Sequence, residues 1–514
     1  MKIAMLLAFA AFFWLTAIKT MHMFQLNSYK PATHARWQRQ NLKSLIPGVV
    51  GFVAAVLCQV LADLVANIVL LVIFAILALV QRPKKAKKPL VYTMRVIRML
   101  VTLGILFLLG VGLAVFVGGG LQSIVLASLG MACPRLVLTA NFINKPIESA
   151  INQYYINDAK KLLRGHQNLT TIGVTGSYGK TSVKYILHTL LQAEFDTLKT
   201  PESYNTPMGV VKTVRSQLRA THELFVCEMG ARHVGDIKEL CDIAEPKLGI
   251  ITSVGPQHLE TFFSIENVKK TKFELADSLP ADGTVFLNME DANIREHLHT
   301  VTKRIVGYGL SEQWDYYATD ISASSKGTTF TLHTPDGRSE TFTARLLGAH
   351  NVINIVGAMA VCCELGISLE KLKGQVRKLE PVPHRLQMLR RGNITIIDDA
   401  YNANPAGANA AMDALALFDG YRVLVTPGMV ELGEKQDELN FAFGAYAAKA
   451  AEFVILVGKK QTASIYKGLE SAGYPQSNIY VAEDLQDAIA KAYAVDSQGR
   501  EKIILLENDL PDNF

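Results

Sequence analysis

Cysteine is scarce and unpatterned in this chain. Six occur in 514 residues (Cys58, Cys133, Cys227, Cys241, Cys362, Cys363), and no two form a Cys-x-x-Cys pair. All fall inside apolar stretches, which excludes a disulfide framework and a cysteine zinc site and fits buried thiols in a reducing compartment. Acid is missing from two stretches: residues 19–44 carry five Lys/Arg and residues 82–98 carry seven, with no Asp or Glu in either. Removing those twelve charges from the formal net +6 leaves −6 for the rest, so the basic surplus is local. Both stretches lie between apolar runs, where phospholipid headgroups are the natural anionic partner, and a net-acidic remainder is not expected to bind nucleic acid.

The apolar runs near 3–18, 45–62, 64–81, 99–117 and 121–140 approach the ~20 residues a helix needs to cross the hydrocarbon core. About five spans are expected over residues 1–140. The second and third are joined only by Asp63, which leaves four or five. Asp63 and Arg135 are the sole ionisable candidates inside these runs, so an anchor is expected rather than a transporter. No small-residue cleavage site precedes the first basic stretch, and the first run is read as retained. Basic loops stay cytoplasmic, which places the N-terminus outside a multi-pass cytoplasmic membrane protein and residue 141 onward inside.

The rest of the chain reads as soluble. The strand-like Leu169-Thr-Thr-Ile-Gly-Val174 leads into Thr175-Gly-Ser-Tyr-Gly-Lys-Thr-Ser182 and then a helix with Val183, Ile186, Leu187, Leu190 and Leu191 on one face. That is a phosphate-binding loop: glycines let N–H groups close on phosphate, Lys180 adds a full charge, and the Thr181 hydroxyl suits Mg²⁺. The usual spacing puts its first glycine at 174, whereas here Gly173 lies one place earlier.

Further apolar strands end in polar residues: 224–228 at Glu228, 248–254 before His258, and 284–288 at Asn288. Alternation with helices predicts a parallel sheet whose carboxyl edge gathers ligands, so Lys180, Glu228 and His258 are expected to converge. Alternating runs around Pro335-Asp336-Gly337 predict a small antiparallel insertion over 303–346. Past the linker-like Pro381-Val-Pro-His-Arg385, strands at 394–398, 422–426, 453–457, 478–481 and 503–506 predict a separate Rossmann-like doubly wound domain. The expected α/β organisation is a transmembrane region (1–140), a helical connector (141–165), a central P-loop parallel-sheet ATPase domain (166–378) and a C-terminal domain (379–514).

From about 165 to 510 the chain resembles the Mur ligases, ATP-dependent amide ligases of cell-wall precursor synthesis, and most closely their D-alanyl-D-alanine-adding type. The resemblance rests on the phosphate loop, Asn205-Thr-Pro-Met-Gly209, Glu228-Met-Gly230, His258-Leu-Glu260, Lys272-Phe-Glu274, Gly348-Ala-His-Asn351 with Asn354, Asp399-Ala-Tyr-Asn-Ala-Asn-Pro405 and Glu431-Leu-Gly-Glu434. It implies an ATP site at Thr175, Gly176, Ser177, Tyr178, Gly179, Lys180, Thr181 and Ser182. Asn351 and Asn354 would lie by the adenine, and Arg385 and Asp399 would reach ATP from the C-terminal domain. Thr181 and Glu228 would hold one Mg²⁺ and His258 the other, with Lys272 carbamylated. Lys180, Lys272 and His258 would serve catalysis, while Asn205, Thr206, Tyr401, Asn402 and Asn404 would face the substrate.

The implied partners are a cell-wall precursor, UDP-linked or lipid-linked, and an amino acid or dipeptide. The implied reaction forms an acyl phosphate that an amine then attacks. Two departures bear on substrate. The soluble UDP-binding domain of the family is replaced by membrane spans, and Glu507-Asn508-Asp509 stands where the D-alanyl-D-alanine type commonly has a Lys-Gly-Ser turn. A ligase of another amide polymer, such as polyglutamate, and a nucleotide-sensing membrane scaffold are the competing readings.

Overall fold

The computed structural model describes residues 1–83, 88–257, 259–400, 404–430 and 432–508. It divides into two compact units, Met1–Tyr154 and Tyr155–Leu510.

The first unit is helical. Among the described residues five helices are long and apolar enough to cross a membrane: Lys2–Leu26, Leu42–Val60, Asp63–Val80, Met94–Val117 and Leu121–Arg164. The second and third apolar runs are separate helices, because Leu61 leaves the helical region (φ −96°, ψ 153°). Along Asp63–Val80 the buried residues are Leu70, Phe74, Leu77 and Ala78, while Leu64, Ile68, Val72, Ile76 and Leu79 form an outward stripe. Such a stripe is costly in water and at home in hydrocarbon. Phe9, Phe13, Phe74 and Phe107 pack at the centre, with ring centroids 4.7 to 6.4 Å apart.

At one end of this bundle the two basic stretches meet the later part of the last helix. Gln25 bonds the Val91 backbone at 2.8 and 2.9 Å, and Arg98 forks onto Glu148 at 2.6 and 2.9 Å. The expected connector at 141–165 is the unbroken continuation of helix Leu121–Arg164, which carries Pro134 and Pro146 within it.

The second unit holds two sheets. The first comprises β1 (Thr170–Thr175), β2 (Thr197–Lys199), β3 (Leu224–Glu228), β4 (Leu248–Ile251), β5 (Thr284–Asn288), β6 (Arg304–Gly309), β7 (Tyr316–Ser324), β8 (Gly327–His333) and β9 (Ser339–Ala344). Their order is 2-3-1-4-5-6-7-8-9. The strands are parallel as far as β7, whereas β7, β8 and β9 are antiparallel. The predicted antiparallel insertion is therefore the far edge of the main sheet, joined through Tyr308 and Tyr316. Alternate residues feed opposite cores. Ile172, Val174, Val226, Ile250 and Phe286 pack with helices Lys180–Leu191 and Ala349–Glu364, and Phe225, Cys227, Ile251, Val285 and Leu287 pack with Asp236–Ala244 and Ile265–Ser278.

The second sheet comprises β10 (Gln387–Arg391), β11 (Ile394–Asp399), β12 (Tyr421–Thr426), β13 (Phe453–Val457), β14 (Ile479–Ala482) and β15 (Lys502–Glu507), ordered 10-11-15-12-13-14. All are parallel except β10, which closes a hairpin with β11. The last strand inserts between β11 and β12, which puts Asp399 and Glu507 opposite one another at the carboxyl edge.

Candidate nucleotide and metal site

The carboxyl end of β1 turns through Gly176 (φ +151°) and Gly179 (φ +80°) into helix Lys180–Leu191. Both turns need glycine. A Cβ on Gly176 would lie 2.1 Å from Thr252 Oγ1, and one on Gly179 would lie 2.9 Å from Asn354 Oδ1. The loop is held from below by β4 and its continuation: Ser253 Oγ accepts from Tyr178 N at 2.7 Å, and Gly255 N donates to Ser177 Oγ at 2.9 Å. Lys180 folds over its own loop and donates to the carbonyls of Gly176 (2.6 Å) and Ser177 (2.9 Å), where a triphosphate's oxygens would compete for it. Burial lowers Lys180 to about 8, with Arg385 acting the same way and Glu228 opposing.

Glu228, at the end of β3, is the hub beside this loop. Its Oε1 accepts from Thr181 Oγ1 (3.1 Å) and Asn205 Nδ2 (3.0 Å). Its Oε2 is ion-paired with Lys184 Nζ at 3.0 Å, and both side chains are essentially inaccessible. Lys184 also donates to the Glu202 carbonyl. Sequence reasoning missed Lys184, although the signal was there: it lies one helical turn beyond Lys180, on the same face.

The hydroxyl of Thr181 and the carboxylate of Glu228, within hydrogen-bond distance of each other, are hard oxygen donors suited to Mg²⁺. Among the described residues no three His, Cys, Asp or Glu side chains cluster as a self-contained metal site, so the ion would also draw on phosphate and water oxygens. Lys272, on helix Ile265–Ser278, is buried, and its amine sits well below the ordinary lysine range, first through burial and then through repulsion by Lys180. Glu274 beside it accepts from Gly235 N (2.7 Å) and Lys238 N (3.0 Å), tying down the start of the neighbouring helix.

A cavity of about 410 Å³ opens from the loop. Tyr178, Gly179, Ser182, Asn351 and Asn354 line it from the central domain, and Arg385, Asp399 and Asn404 from the C-terminal one. Asn351 donates to the Leu347 carbonyl (2.8 Å), and Asn404 caps helix Pro405–Ala416 through Gly407 N (2.9 Å), so both do local structural work while facing the cavity. Sequence reasoning also missed Asp291, on this lining: its carboxylate accepts from Val254 N at 2.7 Å and caps the helix Ala292–His297. Asn205 sits on Glu228, whereas Thr206 is exposed at the start of helix Pro207–Gln217. His258, Tyr401 and Asn402, expected as metal-binding and substrate-facing residues, lie outside the described residues, as does Glu431.

At the carboxyl edge of the second sheet two acids stand side by side. Asp399 accepts from Leu386 N at 3.1 Å and is raised to about 7 by burial. Glu507 accepts from Thr426 Oγ1 at 2.6 Å and is raised to about 8, chiefly by burial and further by Asp399. The folded chain therefore holds the Glu507 proton up to about pH 8, whereas an unfolded chain releases it near an ordinary glutamate value. Stability is expected to fall as pH rises across that window. Urea unfolding at pH 5, 6.5 and 8 should show the decline, and Glu507→Gln should reduce it to the part that Asp399 contributes.

These features define an enzyme class: a phosphate loop on a parallel sheet, facing a second α/β domain across a cavity lined from both. The family description "Mur ligase middle domain" matches residues 174–362, and "Mur ligase, glutamate ligase domain" matches 384–506. The chain is 32% identical over 336 residues to UDP-N-acetylmuramoyl-tripeptide--D-alanyl-D-alanine ligase of Escherichia coli K12, covering 63% of this chain and 74% of that one. It is 37% identical over 261 residues to the Mycobacterium tuberculosis H37Rv enzyme of the same name, and there it spans about half the relative's length. Among solved structures it is similar to MurF of Acinetobacter baumannii (TM-score 0.63, 25% identity, 70% of this chain and 78% of that one). MurF of Thermotoga maritima in complex with ADP is similar too (TM-score 0.62, 25% identity, 70% and 81%). The chain belongs to the Mur ligase family and is an ATP-dependent amide-bond ligase.

Proposed function

We propose that this is a membrane-anchored ligase that adds an amino acid or a dipeptide of the D-alanyl-D-alanine type to the peptide of a peptidoglycan precursor. The observation that carries the reading is the cavity joining the phosphate loop to Arg385 and Asp399 of the C-terminal domain. The names of the relatives favour the cell-wall substrate over a polyglutamate. The similarity to a folylpolyglutamate synthase, at 16% identity, reaches the fold alone.

An acceptor carboxylate is too poor an electrophile for an amine. Attack of its oxygen on the γ-phosphorus of ATP releases ADP and gives an acyl phosphate, whose phosphate leaves when the amine attacks the carbonyl carbon. Lys180 stabilises charge developing on the γ-phosphate, and Arg385 reaches the same region from the other domain. Thr181 and Glu228 are the residues to hold one Mg²⁺, with His258 serving a second. Lewis-acid neutralisation of phosphate charge is what the metal supplies when bound. Burial holds the Lys272 amine well below the ordinary lysine range, which favours the neutral form that reacts with CO₂, and as a carbamate it would add an anion beside the loop.

The outward apolar stripe of the first unit supports anchoring. The meeting of its basic stretches with the 141–148 segment supports a cytoplasmic exit into the ligase domains. Because the apolar helices would hold the ligase domains at a bilayer surface, a lipid-linked acceptor is the preferred form.

Mass spectrometry of precursors after depletion of the protein tests the function: a stem peptide lacking its terminal residues, on a lipid carrier, is expected. An unchanged precursor pool sinks the assignment. In the same preparation, ¹³C-bicarbonate labelling is expected to give a carbamate resonance that is absent from Lys272→Met.

A further inference from the structure

The helical unit carries a charge its own side chains do not neutralise. Residues 1–154 hold fifteen Lys/Arg against two acids, Asp63 and Glu148. Glu148 is taken up by Arg98. Asp63 begins helix Asp63–Val80, whose other end meets Lys19 through Gln81 at 2.9 Å. Arg95 therefore has no carboxylate partner among the described residues. Its guanidinium lies over the Tyr29 ring, 4.1 Å from the centroid, and donates through Nη2 to Asn141 Oδ1 at 3.0 Å. Its Nε is buried and finds no acceptor among the described residues.

A second orphan lies two ring contacts beyond Tyr29. Phe24 packs edge-on against both Tyr29 and His34. His34 is fully buried and bonds Asn27 through Nδ1 at 3.2 Å, but its Nε2 has no partner among the described residues. A buried polar group without a partner is expensive, and more so on a charged side chain. The missing complement to a guanidinium fork is an anion with several acceptor oxygens.

We propose that Arg95, supported by Tyr29 and Asn141, seats the phosphate of the lipid-linked acceptor at the basic end of the helical unit. The inference rests on the lipid-linked reading above and names where that lipid is held. Bulk phospholipid headgroups are already served by the exposed Lys30, Arg36, Arg39 and Lys43. A partly buried fork aimed by an amide selects a headgroup that comes in from the bilayer edge. Helix Met94–Val117, which carries Arg95, also exposes Ile97, Val101, Ile105 and Leu108 at helical spacing, a track for a long hydrocarbon tail.

The test uses full-length protein in phosphatidylcholine nanodiscs without ATP, titrated with polyprenyl phosphate and read by native mass spectrometry. Arg95→Gln is expected to weaken binding at least tenfold, Arg95→Lys to recover only part of it, and Arg39→Gln to change it less than twofold. If Arg95→Gln fails to fold, Asn141→Ala, which removes the group that aims the guanidinium, is expected to give the same loss. Equal loss from Arg39→Gln overturns the proposal, as does equally tight binding of phosphatidylglycerol or displacement by equimolar inorganic phosphate. Because no turnover is measured, failure here leaves the ligase reading standing, whereas an unchanged precursor pool on depletion overturns that reading whatever the binding titration gives.

Discussion

Lys180→Ala is expected to cut acceptor-dependent ADP release by about 10³-fold, the scale seen when one preorganised donor to a developing anion is removed. Among the described residues Lys180 hydrogen-bonds only carbonyls of its own loop, so the fold does not depend on it. The melting temperature should therefore hold while turnover collapses. Burial has already lowered this amine to about 8, and triphosphate would restore its full charge. The assay is coupled ADP detection with and without acceptor. Retention of acceptor-dependent ADP release at more than a tenth of the original rate would remove Lys180 from the chemistry, and with it the phosphate loop.

Glu228→Gln is expected to have the largest effect on stability, through a different route. The carboxylate is shared by Thr181, Asn205 and Lys184, and losing its charge strands a lysine that water does not reach. Breaking a buried ion pair from one side costs about 3–5 kcal/mol. Lys184→Met in the same background removes the stranded charge and should recover much of that loss without restoring activity, since the expected Mg²⁺ ligand is still missing. Denaturant unfolding of the two single variants and the double variant reads the coupling directly. Additive losses would show that the pair contributes little and that Glu228 matters only for the metal.

Local chemistry was legible in the sequence, and long-range pairing was not. The phosphate loop declares itself because strand, turn, lysine and helix are contiguous, and Gly176 and Gly179 are fixed by backbone angles that few other residues adopt. Lys184 was overlooked because its role exists only once β3 lies beside β1 and brings Glu228 across 44 residues of chain. The alternating threonines of 328–343 announced antiparallel strands correctly, but alternation does not say which sheet a strand joins, and here they extend the main one. Hydropathy suggests an end to the last span near 140, where apolar content drops, yet even Pro146 does not end the helix, which continues to Arg164. Asp399 was singled out for its place at a strand end. Its neighbour Glu507 drew notice only as a departure from the family's usual turn, since strand order, not sequence distance, makes them adjacent.

Five of the six cysteines are buried and Cys363 is half-buried, and burial pushes the thiols of Cys227, Cys241, Cys362 and Cys363 up, away from the reactive thiolate. The chain is thereby a nearly silent background for maleimide labelling. One cysteine introduced at Ala62, between two apolar helices, and another at Ala220, in the ligase domains, can each be read with impermeant reagent without first stripping the native ones. Sidedness in a living cell becomes a matter of two point substitutions.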